Sequence, residues 1–314
     1  MTVAGAGGER GLLARLIRPP RSRHVLVGPG DDAAVVTPTG TLELLTIDTV
    51  VEGEHFTLTH YTPRQIGRKA LEVNVSDIAA MGGEPRHVLV ALTLPRDLEV
   101  AAVEGLQAGI NESADRYAID VVGGDLTRGP IIVITIALSG HVSLDRLVRR
   151  DGARPGDIVM VSGGLGGAEA GRQVLLAGLT EFPDVVRRHL EPSARLDFAR
   201  EVAGRVTAME DVSDGLASEV RNICEASGVG ATLRARDIPV DERVRETARA
   251  LGTDPLDWAL FGGEDYELVY TAPPALARSL PGVACGLVTR GRGLRLASAA
   301  GDAPLTRSGW DPFA

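Results

Sequence analysis

The hydrophobic pattern of this chain keeps changing period, and that constrains its fold more than any other feature. Apolar residues at helical spacing (Leu12, Leu13, Leu16 and Ile17; Ile66, Ala70 and Val73; Leu216, Val220 and Ile223) alternate with short strand-like runs at 24–27, 42–47, 86–94, 119–122, 131–140, 158–161 and 266–270. A chain that switches between periods of 3.6 and 2 from end to end has to layer helices on sheets, which is an α/β fold. Thr62-Pro63-Arg64-Gln65 is a helix start: Thr62 caps, Pro63 suits the first turn and Gln65 completes a capping box. That helix should stop at Gly82-Gly83, and another is expected over 97–116. No solenoid-type repeat is present. The polar, turn-forming stretch from Arg149 to Asp157 marks a junction between two α/β domains, 1–148 and 149–314.

Several classes are excluded by composition. The longest apolar runs, such as Pro130 to Leu138, are strand-sized, far below the ~20 residues of a membrane span. The N-terminal residues contain no apolar signal core, so a cytoplasmic location is expected. Two cysteines, Cys224 and Cys285, make neither a disulfide framework nor a Cys-x-x-Cys metal site, and fit a reducing compartment. A formal charge of −9 with only short basic clusters such as Arg187-Arg188 argues against a nucleic-acid partner.

The acidic residues carry the chemistry. They recur beside glycines in Gly28-Pro-Gly-Asp-Asp-Ala-Ala34, Thr46-Ile-Asp-Thr-Val-Val-Glu-Gly-Glu-His-Phe56, Glu72-Val-Asn-Val-Ser-Asp-Ile-Ala-Ala-Met-Gly-Gly83, Val122-Gly-Gly-Asp-Leu-Thr-Arg-Gly129, Asp211-Val-Ser-Asp-Gly-Leu216 and Phe261-Gly-Gly-Glu-Asp-Tyr-Glu-Leu268. Asp48 and Asp125 are expected at strand ends. Each motif also has a plain structural reading. Asp31-Asp32, Gly123-Gly124-Asp125 and the 261–268 segment serve as turns, and Ser213 or Asp214 as a helix cap. Asp77 differs, because it sits on the apolar stretch from Val73 to Met81, three residues after Asn74, where an unpaired carboxylate is expensive. A structural role there needs a basic partner, for which Arg68 and Lys69 are the candidates.

Taken together, converging carboxylates would repel one another unless a divalent cation joined them. The donors are all oxygens, which suits Mg²⁺ rather than Zn²⁺. Glycines let backbone amides approach phosphates. Metal, glycine-rich turns and an anionic substrate point to phosphoryl transfer. The loop Ser162-Gly-Gly-Leu-Gly-Gly167 lacks the Walker A ending and the dinucleotide spacing, and is more often a tight strand–helix connection. Neither a kinase-type His-Arg-Asp set nor a Gly-x-Ser-x-Gly elbow occurs.

These motifs, in this order from about residue 9 to the C-terminus, resemble those of the thiamine-monophosphate kinase family. The resemblance rests on Gly30-Asp31-Asp32-Ala33-Ala34, Asp48-Thr49 with His55-Phe56, Asn74 to Gly82, Gly123 to Gly129, Asp211 to Leu216 and Gly262 to Leu268. It implies the two-domain aminoimidazole-ribonucleotide synthetase-like fold, with mixed sheets covered by helices and N-terminal domains paired in a homodimer. It also implies transfer of the ATP γ-phosphoryl group to thiamine monophosphate, giving thiamine diphosphate. By motif, Asp32, Thr46, Asp48, Asp77, Asp125, Asp211 and Asp214 are the implied ligands of several Mg²⁺ ions. Gly124, Asp125, Arg150 and Ser213 are the implied ATP contacts, and His55, Glu264 and Trp310 the implied contacts to thiamine monophosphate. Trp310 lies in a tail, Ser308 to Phe313, that matches loosely. The adenine contact stays open between Gln107 and Tyr117. No acid or base is assigned, because the acceptor is already an ionised phosphate oxygen.

Other members of the same superfamily are the alternatives. The selenophosphate synthetase type would want an early reactive cysteine, and none precedes Cys224; the hydrogenase-maturation type would want a C-terminal cysteine. A non-catalytic nucleotide-sensing protein is the rival of another class. Dimerisation has a sequence argument of its own. The 86–94 strand is apolar on both faces, Val88, Val90 and Leu92 on one and Leu89, Ala91 and Thr93 on the other. Such a strand needs cover on both sides.

Overall fold

Residues 15–27, 35–36, 38 and 41–310 are described by the structure, a computed structural model. The 28–34 motif with Asp32, and Leu12 and Leu13, lie outside them. The chain divides into two compact units, one running to Ile78 and including Glu84–Leu144, the other formed by Ala79–Gly83 with Asp145 onward.

In order, the strands of the first unit are β1 (Val25–Val27), β2 (Val35–Val36), β3 (Leu42–Val51), β4 (Glu84–Leu94), β5 (Asp120–Arg128) and β6 (Val133–Val142). Its helices are α1 (Pro63–Ala80), whose last residues pass to the second unit, and α2 (Val100–Tyr117). The capping box forms as the sequence dictates: Gln65 N–H donates to Thr62 Oγ1 at 3.3 Å and Thr62 N–H to Gln65 Oε1 at 3.0 Å. α1 and α2 cross in close contact. A methyl group on Gly67 would overlap the Leu106 carbonyl, and one on Gly109 the Arg64 carbonyl.

The sheet has the order β3-β6-β4-β5, with β4 and β5 parallel across α2 and the other pairs antiparallel. Its two faces are unlike. Val88, Val90, Leu92, Ile134, Ile136 and Leu138 are buried, and Ile78 of α1 packs at Gly140 on that face. The other face is open: Leu45 is 79%, Ile47 66% and Leu89 46% exposed, and Thr49 and Thr135 share a hydroxyl hydrogen bond there.

Two strands run further than their local pattern predicts. β3 continues to Val51, so Asp48 lies inside it, and β5 continues to Arg128, so Gly123-Gly124-Asp125 is strand and not a turn. Cross-strand pairing supplies what local propensity lacks, for Val90 pairs with Gly124 and Ala91 with Asp125. A bulge at Val122 shifts the register between these strands: Val88 faces Val121, but Leu89 faces Gly123.

The second unit is built on a seven-stranded sheet. Its strands are β7 (Ile158–Val161), β8 (Ala208–Asp211), β9 (Gly230–Arg234), β10 (Leu268–Ala272), β11 (Val283–Thr289), β12 (Gly293–Ser298) and β13 (Gly301–Pro304), in the order β13-β12-β9-β11-β7-β10-β8. All pairs are antiparallel except β9 with β12. The helices are α3 (Gly167–Leu176), α4 (Pro183–Leu190), α5 (Leu196–Val202), α6 (Leu216–Ser227), α7 (Glu242–Leu251), α8 (Pro255–Phe261) and α9 (Pro274–Ala277). Leu216, Val220, Ile223 and Cys224 of α6 join Val159, Val161, Leu260 and Cys285 in one core.

Burial pushes the Cys224 thiol up to about 11 and that of Cys285 to about 12, so both are inert packing groups. Cys224→Ser should cost about 1–3 kcal/mol, because a hydroxyl would be left buried without a partner. Denaturant unfolding measures that loss, and an unchanged midpoint would mean that Cys224 is not core.

Candidate active site

In the first unit, the alternation of β3 puts Thr46 and Asp48 on the helix-covered face, where they pair with Leu138 and Ile136. Asp77, half-buried on α1, accepts a hydrogen bond from the Thr46 hydroxyl. Among the described residues no basic side chain pairs with this carboxylate. Lys69, one of the two candidates for the basic partner that a structural role needs, turns instead to the His55 carbonyl (2.9 Å) and the Tyr61 hydroxyl (3.1 Å). A half-buried carboxylate held by a hydroxyl alone is costly without a cation.

His55 lies in the tight loop after β3. Its Nδ1 accepts the Val51 N–H at 3.1 Å, so the ring proton of the neutral form sits on Nε2. Gly124 and Asp125 point to opposite faces of β5. A methyl group on Gly124 would overlap the Val90 carbonyl, while Asp125 pairs with Ala91 on the open side and is exposed. The sheet therefore brings Thr46, Asp48 and Asp77 to one face and Asp125 to the other. Gln107 and Tyr117, the two candidates for the adenine contact, bond to Asn111 (3.2 Å) and Glu72 (2.7 Å) respectively.

In the second unit, two motifs distant in sequence pair edge to edge. Beyond the β8–β10 ladder, Val212 N–H donates to Glu267 O (2.7 Å), Tyr266 N–H to Val212 O (2.9 Å) and Glu264 N–H to Ser213 O (2.7 Å). Glu264 (φ 69°) and Tyr266 (φ 49°) both adopt the left-handed region without being glycine. Such backbone persists only where its surroundings impose it, and it concentrates at functional sites. Trp310 joins the group, its main-chain N–H donating to Asp214 O at 3.1 Å. Asp211, Ser213, Asp214, Glu264 and Trp310 are thus brought together. Arg150 stands on a single 3₁₀ turn, ion-paired at 2.9 Å with the buried Glu210.

Other charges here support the site and were not singled out in the sequence. Glu219 of α6 is buried and accepts the Asp214 N–H at 2.8 Å; burial raises its pKa well above the usual carboxylate range. Asp265 accepts the amides of Gly166 (2.5 Å) and Ala168 (3.0 Å), and burial lifts its pKa to about 7. The donors that open α3 are therefore occupied from within, so the glycine-rich 162–167 loop is a strand–helix connection. Glu267 pairs with Arg195 and Ser162, and His189 of α4 lies 3.3 Å from Glu264. Glu267 and Asp265 were visible as charges in the 261–268 motif. Arg195 and His189 left no signal, because their partners are far away in sequence.

Among the described residues no three acidic, histidine or cysteine side chains group closely enough to hold a metal ion. The donors that do share a place, Thr46 and Asp77 with Asp48 on the same sheet face, are oxygens only. That chemistry, and the lack of a basic partner for Asp77 among the described residues, fit Mg²⁺.

Known proteins resemble this chain along most of its length. Residues 30–142 match the AIR synthase related protein N-terminal domain, and residues 154–281 its C-terminal domain. Thiamine-monophosphate kinase of Aquifex aeolicus is 38% identical over 85% of this chain and 86% of its own. That of Bacillus subtilis is 38% identical over 80% of each. A solved structure of AaThiL complexed with AMPPCP and TMP is 36% identical, covers 98% of this chain and 97% of that one, and superposes with a TM-score of 0.82. With its motifs in order and its two AIR synthase-type domains, this chain belongs to the thiamine-monophosphate kinase family.

Proposed function

We propose that the protein transfers the γ-phosphoryl group of ATP to the phosphate of thiamine monophosphate, forming thiamine diphosphate and ADP in thiamine biosynthesis. The observation that carries this reading, beside family membership, is Asp77: a half-buried carboxylate that meets a hydroxyl and no basic group among the described residues. Asp32, Thr46, Asp48, Asp77, Asp125, Asp211 and Asp214 are the proposed Mg²⁺ ligands. When bound, the ions would neutralise charge on the phosphates. Gly124, with no side chain, leaves backbone open to a phosphate; Asp125, Arg150 and Ser213 complete the proposed ATP contacts. His55 would offer its Nε2–H to the acceptor, with Glu264 and Trp310 facing the cationic thiazolium. The residues bind and orient, which for in-line transfer is most of the work. No residue need remove a proton, because the acceptor oxygen is already ionised.

In this reading the 1–148 half holds dimerisation, metal and ATP motifs, and the 149–314 half metal, nucleotide and acceptor motifs. The enzyme works in the cytoplasm as a homodimer. The open sheet face of the first unit, with Leu45, Ile47 and Leu89, supports that pairing.

Thiamine monophosphate should be the preferred acceptor in an ATP and Mg²⁺ assay that follows ADP. Thiamine should react poorly, since it brings an alcohol in place of a metal-binding phosphate. Equal turnover of the two would overturn the assignment.

A further inference from the structure

The last described residues form a strap across α6. Leu305 N–H pairs with Leu294 O at 2.9 Å, which fixes where the strap begins. One guanidinium then holds three of its groups: Arg221 Nη2 donates to the carbonyls of Leu305 and Arg307, both at 2.9 Å, and Nη1 to Ser308 Oγ at 2.6 Å. Arg307 stacks 4.0 Å from the centre of the Phe261 ring, at the start of the strained 261–268 segment. Gly309 N–H donates to Ser218 Oγ at 2.9 Å, and any side chain on Gly309 would overlap the Asp214 carbonyl. The next residue, Trp310, is 49% exposed.

An exposed indole on a free tail would sample many orientations. Here the main chain that carries it is held at Asp214, whose N–H is gripped by Glu219 and whose carbonyl accepts the main-chain N–H of Trp310. Anchoring the main chain of Trp310 next to acidic groups narrows where its π-face can lie, which suits a flat cationic ring and lowers the ordering cost of binding.

We infer that Arg221 is a positioning residue for the acceptor: it latches the strap so that Trp310 is preset against the cationic ring. The inference rests on the reading of the acceptor given above. Arg221 acts through the strap, since its guanidinium bonds to Leu305, Arg307 and Ser308, and Gly309 is its counterpart, the point where the strap closes on Asp214.

The test uses the full-length protein with Arg221→Ala, Gly309→Ala and Trp310→Phe. Only two tryptophans occur, and Trp258 is buried, so acrylamide quenching reports Trp310, with Trp310→Phe as the blank. Both strap variants should raise quenching and raise the KM for thiamine monophosphate roughly tenfold, with kcat and the KM for ATP near wild type. Wild-type quenching, or an unchanged acceptor KM, in the folded variants overturns the inference. If Arg221→Ala does not fold, Gly309→Ala, a change in the exposed strap, decides alone. Should the wild type fail to use thiamine monophosphate at all, the functional reading falls, whereas quenching still reports whether Arg221 holds the strap.

Discussion

Asp77→Asn should reduce phosphoryl transfer by roughly 10²-fold or more while leaving the protein folded. Asparagine keeps the shape and an oxygen for the Thr46 hydroxyl, so helix and sheet lose no contact. What disappears is the charge that a cation would need. Steady-state rates at saturating Mg²⁺ and a thermal melt provide the check. A variant that melts and turns over like wild type would make Asp77 a structural residue and dismantle the proposed metal site.

Charges placed on the two faces of β4 should have opposite consequences. Val90 points to the helix-covered face and is buried, so Val90→Asp should leave the protein insoluble or unfolded whatever its assembly state. Substitution there says nothing about dimers. Leu89 is on the open face, and Leu89→Asp should give soluble, folded monomers from a wild-type dimer. Sedimentation at micromolar concentration separates these outcomes. A wild type that sediments as a monomer would refute the homodimer, and a Leu89→Asp dimer would move its interface elsewhere.

What the sequence made legible was local or periodic. Thr62 and Gln65 cap α1 as their spacing requires, and Leu216, Val220 and Ile223 mark the buried stripe of α6. Element ends were less legible, because a ladder extends a strand as far as its neighbour offers partners. Asp48 and Asp125 thus fall within strands and not at their ends. Side-chain partnership was least legible. Sequence proximity nominated Lys69 for Asp77, yet the lysine reaches back to the 55–61 loop, and the partner of Asp77 comes from β3. Likewise Arg221 and the strap it holds share no periodicity that one chain could reveal.

The bulge at Val122 gives β5 an odd count at the point that matters. Because side chains alternate strictly along a strand, that one extra residue sets the phase of everything downstream, sending position 124 towards the helices and 125 away from them. Loss or gain of a single residue between Val121 and Gly123 would therefore leave the composition of the motif intact and invert its meaning, putting the carboxylate on the Val90 side of the sheet and the glycine on the Ala91 side. Length here is as much a part of the motif as chemistry, and a homologue with the same letters in a shifted frame would be a different sheet.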